Sequence, residues 1–171
     1  MAILNHLAQR KNIRLKEYNY SRNGYYFITI CAKDRQPIFW QVETTCGCPQ
    51  LSLIGLIIEN EINGMNLIYT SVKIDKYTIM PNHLHLIIVI DFQGEEGQSQ
   101  PITDGIWPQT IPTIARVIQQ FKGIITKKVG VSLWQGRYYD HIIRDEKEYQ
   151  KIWEYIDTNP LKWELDKYFS G

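Results

Sequence analysis

The sequence contains few cysteines, no long apolar run and almost no net charge. Its three cysteines, Cys31, Cys46 and Cys48, are an odd number without regular spacing, so they do not form the disulfide framework of a small secreted protein. Cys46 and Cys48 could be half of a metal knuckle, but no second pair completes it, and a loop with two thiols is the favoured interpretation. A bacterial-type cytoplasm is the compartment that we expect.

The other absences exclude further classes of protein. The longest apolar run, Leu84 to Ile90, has the length of a strand and falls short of the roughly 18 residues that span a bilayer. The first 20 residues are polar and basic and show no secretory signal, so we expect no membrane partner. A net charge of +1 excludes binding to nucleic acid through bulk positive charge alone.

The composition favours one folded domain. With 171 residues, of which 44% are hydrophobic and 22% charged, the chain can bury a core. We expect a basic arm at residues 1–20 and a single domain at residues 21–171. Within that domain, residues 91–111 are acidic and rich in Gly, Gln and Pro, which predicts a long surface loop.

Hydrophobic periodicity predicts the element order β-α-β-β-α-β-α. Strands are expected at 25–32, 72–80 and 83–90 and within 133–144, and helices at 51–69, 111–129 and 145–159. Residues 39–50 are expected to form a loop, and Pro81 and Asn82 a turn between two strands. The first six elements have the ferredoxin-like order, an α+β fold with an antiparallel sheet and helices on one face. The last helix must pack elsewhere on this body.

Two histidines mark the strand predicted at 83–90. His83 and His85 occupy positions i and i+2, so their imidazoles point to one face, about 7 Å apart along the strand. The strand is otherwise apolar on both faces, which predicts a central strand and at least partly buried histidines. The pair could bind one metal ion if a third ligand were present. Two core histidines bonded to neighbouring groups are the alternative, and the commoner case for a bare His-x-His pattern.

The last predicted helix carries a second candidate pair. Its core-facing stripe consists of Tyr149, Ile152, Trp153 and Ile156. Tyr155 and Asn159 lie one turn apart, off the centre of that stripe. A phenol beside a cation or base could attack a metal-polarised phosphodiester, and the amide oxygen of Asn159 could complete a metal site. Taken alone, ordinary packing remains the better interpretation for one of eleven tyrosines.

Three sequence blocks resemble one known family. The block MPNHLHLII (residues 80–88) resembles the HUH motif of single-tyrosine HUH transposases, in which U is a hydrophobic residue. LWQGRYYDHIIRDEKEY (residues 133–149) followed by YIDTNP (residues 155–160) resembles the REP-associated tyrosine transposase branch of that group. The blocks occur in family order on the predicted frame, and the match runs from about residue 20 to residue 161.

The resemblance implies a DNA strand transferase that acts on single-stranded DNA near a palindromic hairpin. In such proteins the histidines hold a divalent ion, usually Mg²⁺ or Mn²⁺, and the tyrosine attacks the scissile phosphate to leave a 5′-phosphotyrosine link. Carried over by position, His83 and His85 are metal ligands, Tyr155 is the nucleophile and Asn159 is the third ligand, where insertion-sequence members commonly have Gln. Because some relatives exchange the tyrosine helix, a homodimer is also an expectation.

Several alternatives stay open. Tyr138 and Tyr139 are rival nucleophiles, ranked lower because neither has an amide one helical turn away. His141, in the same block, could contact DNA, support the site or bond to a neighbouring residue. The chain could also be a relative that only binds hairpins, or a metal-dependent nuclease that uses water.

The surface that would contact DNA is predicted from charge and spacing. Arg116, Gln120 and Lys127 project from the polar side of the helix at 111–129, where they could track phosphates. Arg137 and Trp134 could stack on an unpaired base, although tryptophan in a short strand is more often core. Residues 1–35 and 112–144 each carry a net charge of +5, whereas 36–111 and 145–171 carry −6 and −3. This pattern predicts a localised basic groove.

Overall fold

The computed structural model describes residues 22–42, 49–68, 71–91 and 113–165. Its strands are β1 (Gly24–Cys31), β2 (Trp40–Val42), β3 (Pro49–Leu51), β4 (Val72–Ile79), β5 (His83–Ile90) and β6 (Tyr139–Ile143). Its helices are α1 (Leu53–Ile68), α2 (Ile114–Val129) and α3 (Glu146–Thr158), with 3-10 helices η1 (Lys33–Arg35) and η2 (Asn159–Leu165). The predicted arm at 1–20, nearly all of the predicted loop at 91–111, and Cys46 and Cys48 lie outside the described residues.

Four strands form an antiparallel sheet in the order β4-β5-β1-β6. β5 and β1 are the central strands, and their register places Thr29 opposite His85. On the other side of β1, Tyr139 of β6 lies opposite Thr29. This is the predicted ferredoxin-like arrangement, in which each βαβ crossover leaves a gap that an antiparallel strand fills.

One face of the sheet is covered by α1 and α2. Alternate residues of the central strands, among them Ile28 and Leu86, point to this face and form the main core with apolar residues of both helices. Helix α2 begins after Thr113, whose side chain accepts a hydrogen bond from the backbone N–H of Arg116. It ends at Gly130, which adopts the left-handed conformation, with φ 80°, that favours glycine.

The opposite face of the sheet is covered by α3. Ile156 is fully buried there and packs with Phe27, Ile87 and Ile143, which alternate with main-core residues along their strands. The sequence predicts helices on one face and leaves the last helix unplaced. The structure confirms α1 and α2 on one face and places α3 on the other, the face that both histidines share, so that the sheet lies between two helical layers.

A β-bulge in β4 directs two consecutive side chains toward α3. The extra residue, Asp75, interrupts the register with β5, so that two consecutive side chains reach the same helix. The phenol of Tyr149 donates to Asp75 at 2.5 Å, and Lys76 donates to Asp157 at 2.5 Å. The ammonium of Lys76 also lies 3.8 Å from the ring centroid of Trp153. Trp153 is 37% exposed beneath this cation, so its predicted place in the core stripe is wrong.

Smaller departures concern the segment before α1. The short strands β2 and β3 pair with each other within and just beyond residues that the sequence predicts as a loop. Ser52 caps the start of α1, since its hydroxyl accepts from the backbone N–H of Gly55. Among the described residues, each helix is too short or too polar to cross a bilayer.

Candidate active site

His83 and His85 lie side by side in the centre of the sheet. Both side chains are fully buried and point to the α3 face, as the strand alternation predicts. Their rings turn toward each other, with centroids 4.5 Å apart, and the two Nε2 atoms lie 2.9 Å from each other. One nitrogen of each imidazole is therefore directed at a shared point.

Each imidazole is held at its other nitrogen. Nδ1 of His85 lies 2.9 Å from the hydroxyl of Thr29, and Nδ1 of His83 lies 2.8 Å from Oδ1 of Asn82. Sequence reasoning misses both partners. Asn82 stands directly before the His-x-His pattern, and this position could have indicated a role at the site. The Pro-Asn pair to which it belongs, however, indicates only a turn. The role of Thr29 depends on a cross-strand register that a single sequence does not reveal.

Tyr155 reaches the histidine pair from α3. Its phenol oxygen lies 3.3 Å from Nε2 of His85. The ring meets those of His85 and Phe27 edge-on, with centroids 5.2 and 6.2 Å away, and Phe27 stacks on His85 at 5.3 Å. Tyr155 is 38% exposed, so the residue lies at the protein surface. The structure thus brings the predicted nucleophile to the predicted ligands.

The histidine pair fits a divalent cation by its donor set and spacing. An ion bound to two nitrogens at about 2.1 Å and at right angles separates them by about 3.0 Å. The 2.9 Å between the two Nε2 atoms matches that separation. Within the described ranges, no three His, Cys, Asp or Glu side chains come together as a metal site.

Asn159 directly follows α3, one helical turn after Tyr155. It begins η2, and the η2 residue Trp163 lies with its ring centroid 6.0 Å from that of His83. The Asn159 side chain is buried, and its Nδ2 has no hydrogen-bond partner in the described part of the chain. A buried N–H donor without a partner is costly. A cation would bind to Oδ1 and not to Nδ2, so the ligand role of Asn159 stays a prediction.

The two rival tyrosines lie on different faces of the sheet. Tyr138 packs against the main core on the α1 and α2 side, away from the histidines. Tyr139 lies on the histidine face, where its ring centroid is 6.3 Å from that of Phe27. It stands on β6, two strands from His85 by register, whereas Tyr155 contacts that residue. The geometry ranks Tyr155 first.

His141 is bonded to a neighbouring residue, one of the three alternatives left open. Its Nε2 lies 2.7 Å from Oε1 of Glu148, and the other carboxylate oxygen accepts from the backbone N–H of Arg144 at 2.9 Å. These two hydrogen bonds, the backbone one above all, lower the pKa of Glu148. The pair joins β6 to the first turns of α3 and so supports the position of the tyrosine helix.

The predicted phosphate-tracking stripe lies on the helical layer that covers the face of the sheet opposite to the histidines. Arg116, Gln120 and Lys127 are exposed, but α2 packs its apolar side on the face opposite to the histidines. Their side chains therefore point away from both the sheet and the site. The structure does not bring them together with Tyr155, and their DNA-binding role stays a prediction.

The structure places Trp134 in the core and Arg137 at the surface. Trp134 is buried, packs against Phe39 and Phe121, and donates its indole N–H to the carbonyl of Lys122 at 3.2 Å. The prediction that it stacks on DNA is corrected, because its ring is part of the core. Arg137 is exposed in the segment before β6, which lies alongside the histidine end of β1.

Two further cations lie at that end of the sheet. Lys33 and Arg35 are exposed in η1, directly after β1, and the carbonyl of Arg35 accepts from Asn82 beside His83. Sequence reasoning misses them, because the turn that places them there follows from tertiary contacts. Together with Arg137 they form what we term the histidine-end cations: Lys33, Arg35 and Arg137.

Comparisons with known proteins agree with this fold. No protein-family model matches the chain. An uncharacterized protein of Haemophilus influenzae is 37% identical over 172 residues, covering 95% of this chain and 94% of its own length. A second H. influenzae protein, named "Putative REP-associated tyrosine transposase", is 22% identical over 150 residues, covering 84% of this chain and 74% of its own. A solved structure of a REP-associated tyrosine transposase bound to a REP hairpin matches with a TM-score of 0.58 and 22% identity. The match covers 90% of this chain and 77% of that one.

The site and the comparisons define the class of protein. A ferredoxin-like sheet carries His-x-His on a central strand, and a tyrosine on the helix packed over that face reaches the pair. The solved neighbour shares this fold. With the sequence similarity to the H. influenzae relatives, this supports the HUH single-tyrosine transposase family, which the motif blocks predict.

Proposed function

We propose that this protein is a metal-dependent, single-tyrosine DNA strand transferase. Tyr155 is the nucleophile, and His83 and His85 hold a divalent ion, Mg²⁺ or Mn²⁺, with Asn159 as a further ligand. The observation that carries the proposal is the 3.3 Å between the Tyr155 phenol and His85, whose same nitrogen lies 2.9 Å from His83. A nucleophile and a cation site beside it are the two parts that phosphodiester transfer needs.

The covalent step exchanges one phosphoester bond for another. The Tyr155 phenol loses its proton and its oxygen bonds to phosphorus. The bond from phosphorus to the 3′ oxygen breaks, and that oxygen takes up a proton. The products are a 5′-phosphotyrosine and a free 3′-hydroxyl, and attack by a second 3′-hydroxyl reverses the step without an external energy source.

The chain's own residues position the reacting groups. Phe27 contacts both rings, since it stacks on His85 and meets Tyr155 edge-on, so it limits how far the phenol can turn from the histidines. The two histidines are buried while Tyr155 is partly open, which directs a phosphate to approach from the solvent side. When bound, a divalent ion would polarise that phosphate toward attack.

The proposed substrate is single-stranded DNA that carries a hairpin. This choice is supported by the solved neighbour, which is a complex with a REP hairpin. The histidine-end cations offer exposed positive charge next to the site, where phosphates of the strand would pass. Aromatic rings at the site, among them Tyr139 at 37% exposure, offer surfaces on which unpaired bases could stack.

A labelled-adduct assay tests the proposal. The full chain is incubated with hairpin-bearing single-stranded DNA and Mn²⁺, with the label at the 3′ end in one sample and at the 5′ end in another. We expect the 3′ label to migrate with denatured protein and the 5′ label to leave on a shorter fragment with a free 3′-hydroxyl. EDTA and Tyr155→Phe should each abolish the adduct.

Tyr139→Phe is the matched control, because Tyr139 shares the face and also contacts Phe27. It should still form the adduct. Cleavage without labelled protein would identify a nuclease that uses water, and hairpin binding without metal or cleavage would identify a binding module. Either result would overturn the proposed function.

A further inference from the structure

The histidine pair is embedded in a chain of side-chain hydrogen bonds that ends on a strained turn. We propose that Asn82 and Thr29 are positioning residues that aim Nε2 of His83 and of His85 at one divalent ion. The inference rests on the proposed function, since it concerns the same cation site. It assigns unlike tasks to the two residues: Asn82 fixes one imidazole, and Thr29 lets the other change its tautomer.

Asn82 can act only as a hydrogen-bond acceptor toward His83. Its Nδ2 donates to the carbonyl of Arg35 at 3.2 Å, which fixes the orientation of the amide. Its Oδ1, 2.8 Å from Nδ1 of His83, must then accept a hydrogen bond from that nitrogen, which carries the proton. In a neutral imidazole this leaves Nε2 of His83 with its lone pair exposed to the shared point, as a metal ligand requires.

The turn that orients Asn82 is held in an unfavourable backbone conformation. Asp34 and Arg35 have φ values of 52° and 54°, a region that residues with a side chain seldom adopt. This conformation presents the Arg35 carbonyl to the Asn82 amide. The backbone N–H of Ala32 also donates to the carbonyl of Asn82 at 2.8 Å, which ties the turn before β5 to the end of β1.

Thr29 has the complementary task at His85. Without an ion, the 2.9 Å contact between the two Nε2 atoms needs one proton, and because Nε2 of His83 is an acceptor, Nε2 of His85 must donate. Nδ1 of a neutral His85 is then an acceptor, so the hydroxyl of Thr29 donates to it at 2.9 Å.

An ion on Nε2 of His85 requires the other tautomer. The proton must then reside on Nδ1, and the Thr29 hydroxyl must rotate to accept from it. A hydroxyl can take both roles, whereas an amide with one end already bonded cannot. The residue opposite His85 on β1 is therefore expected to keep a hydroxyl.

The strand on the other side of β5 supplies a matched control. Thr78 of β4 also lies opposite His85 by register and is also buried. Its hydroxyl is directed to the sulfur of Met80, 4.0 Å away, instead of the imidazole. Thr29→Val and Thr78→Val thus make the same change on either side of His85, and only the first removes a contact to its ring.

Mn²⁺ affinity tests the inference without any DNA. The metal-stripped full chain is titrated with Mn²⁺ by calorimetry, and free Mn²⁺ is counted by electron paramagnetic resonance. We expect Thr29→Val and Asn82→Ala each to weaken binding by about 10–100-fold, while Thr29→Ser and Thr78→Val stay within about threefold of the native protein. Circular dichroism identifies variants that are folded, and if Thr29→Val is not, Thr29→Ala makes the same removal of the hydroxyl with a smaller side chain.

The possible failures are distinct. Native affinity in folded Thr29→Val and Asn82→Ala would overturn the positioning roles while leaving the cation site intact. A Thr29→Ser variant as weak as Thr29→Val would likewise contradict the role of the hydroxyl. No Mn²⁺ binding by the native chain would overturn the cation site itself, and with it this inference, whatever the adduct assay shows.

Discussion

The phenol oxygen of Tyr155 and Nε2 of His85 lie 3.3 Å apart within one chain, although 70 positions separate them in sequence. Helix α3 is held in this place by its own sheet. Ile156 is buried against it, Lys76 binds Asp157, and Tyr149 binds Asp75. Nucleophile and ligands therefore belong to the same copy of the chain in this arrangement.

The first prediction is that Tyr155 acts in cis. Tyr155→Phe and His85→Ala are each expected to form no DNA adduct, and an equimolar mixture of the two should remain inactive. In a dimer that exchanges α3, the mixture would contain one composite site with both residues intact. Recovery of about a quarter or more of the native adduct yield would contradict action in cis.

The second prediction concerns the packing of α3. Ile156→Ala removes a fully buried side chain from the small core beneath the helix, and should lower the free energy of unfolding by about 2–5 kcal/mol. Leu161→Ala makes a similar change at a side chain that is 88% exposed, and should cost less than about 0.5 kcal/mol. Urea denaturation measures both. Equal costs would show that α3 is not docked through Ile156.

The third prediction separates two surfaces that could contact DNA. Arg35→Ala and Arg137→Ala change histidine-end cations, so each should weaken hairpin binding and reduce the slope of log K against log salt by about 1. Arg116→Ala, on the opposite helical layer, should leave both nearly unchanged. Fluorescence anisotropy at several salt concentrations measures these quantities. A larger effect of Arg116→Ala would support the DNA contact through α2 that the sequence predicts.

The fourth prediction uses the bond between Tyr149 and Asp75. That hydrogen bond, with burial, raises the pKa of Tyr149 from its ordinary value near 10 to about 12. A raised pKa means that the stabilisation is complete below about pH 10 and is lost as pH rises through about 12.

Tyr149→Phe should accordingly lower the free energy of unfolding by about 1 kcal/mol at pH 7–9. Above pH 10 the difference between the variant and the native protein should shrink as the pH rises. Urea denaturation from pH 7 to 11 measures the difference. Tyr25→Phe is the control, because it keeps the edge-on ring contact with Tyr149 and leaves the bond to Asp75 in place. A deficit that grows with pH would contradict the assigned bond.

The sequence predicts those parts of the site that depend on local periodicity. The two-residue period of a strand places His83 and His85 on one face, and an apolar sequence on both faces marks a central strand. The period of α3 places Ile156 in the core and Tyr155 beside it, which the structure confirms. The order of the elements predicts the ferredoxin-like sheet.

The parts that sequence reasoning misses depend on register and on layers. Thr29 contacts His85 only because of the pairing of β1 with β5, and Asp75 meets Tyr149 only because a bulge shifts β4. The position of Arg116 relative to the histidines is missed for the same reason. Its helix is amphipathic as predicted, but nothing in its period tells which face of the sheet it covers.

Peptide mapping of the covalent adduct tests the central claim most directly. Trypsin releases residues 152–162 as IWEYIDTNPLK, with Tyr155 as its sole tyrosine, and residues 138–144 as YYDHIIR, with the rival tyrosines. After reaction with hairpin DNA and Mn²⁺ and digestion of the DNA, mass spectrometry should find the phosphonucleotide on the first peptide, at Tyr155. A modification found on the second peptide instead, or on neither, would contradict the account.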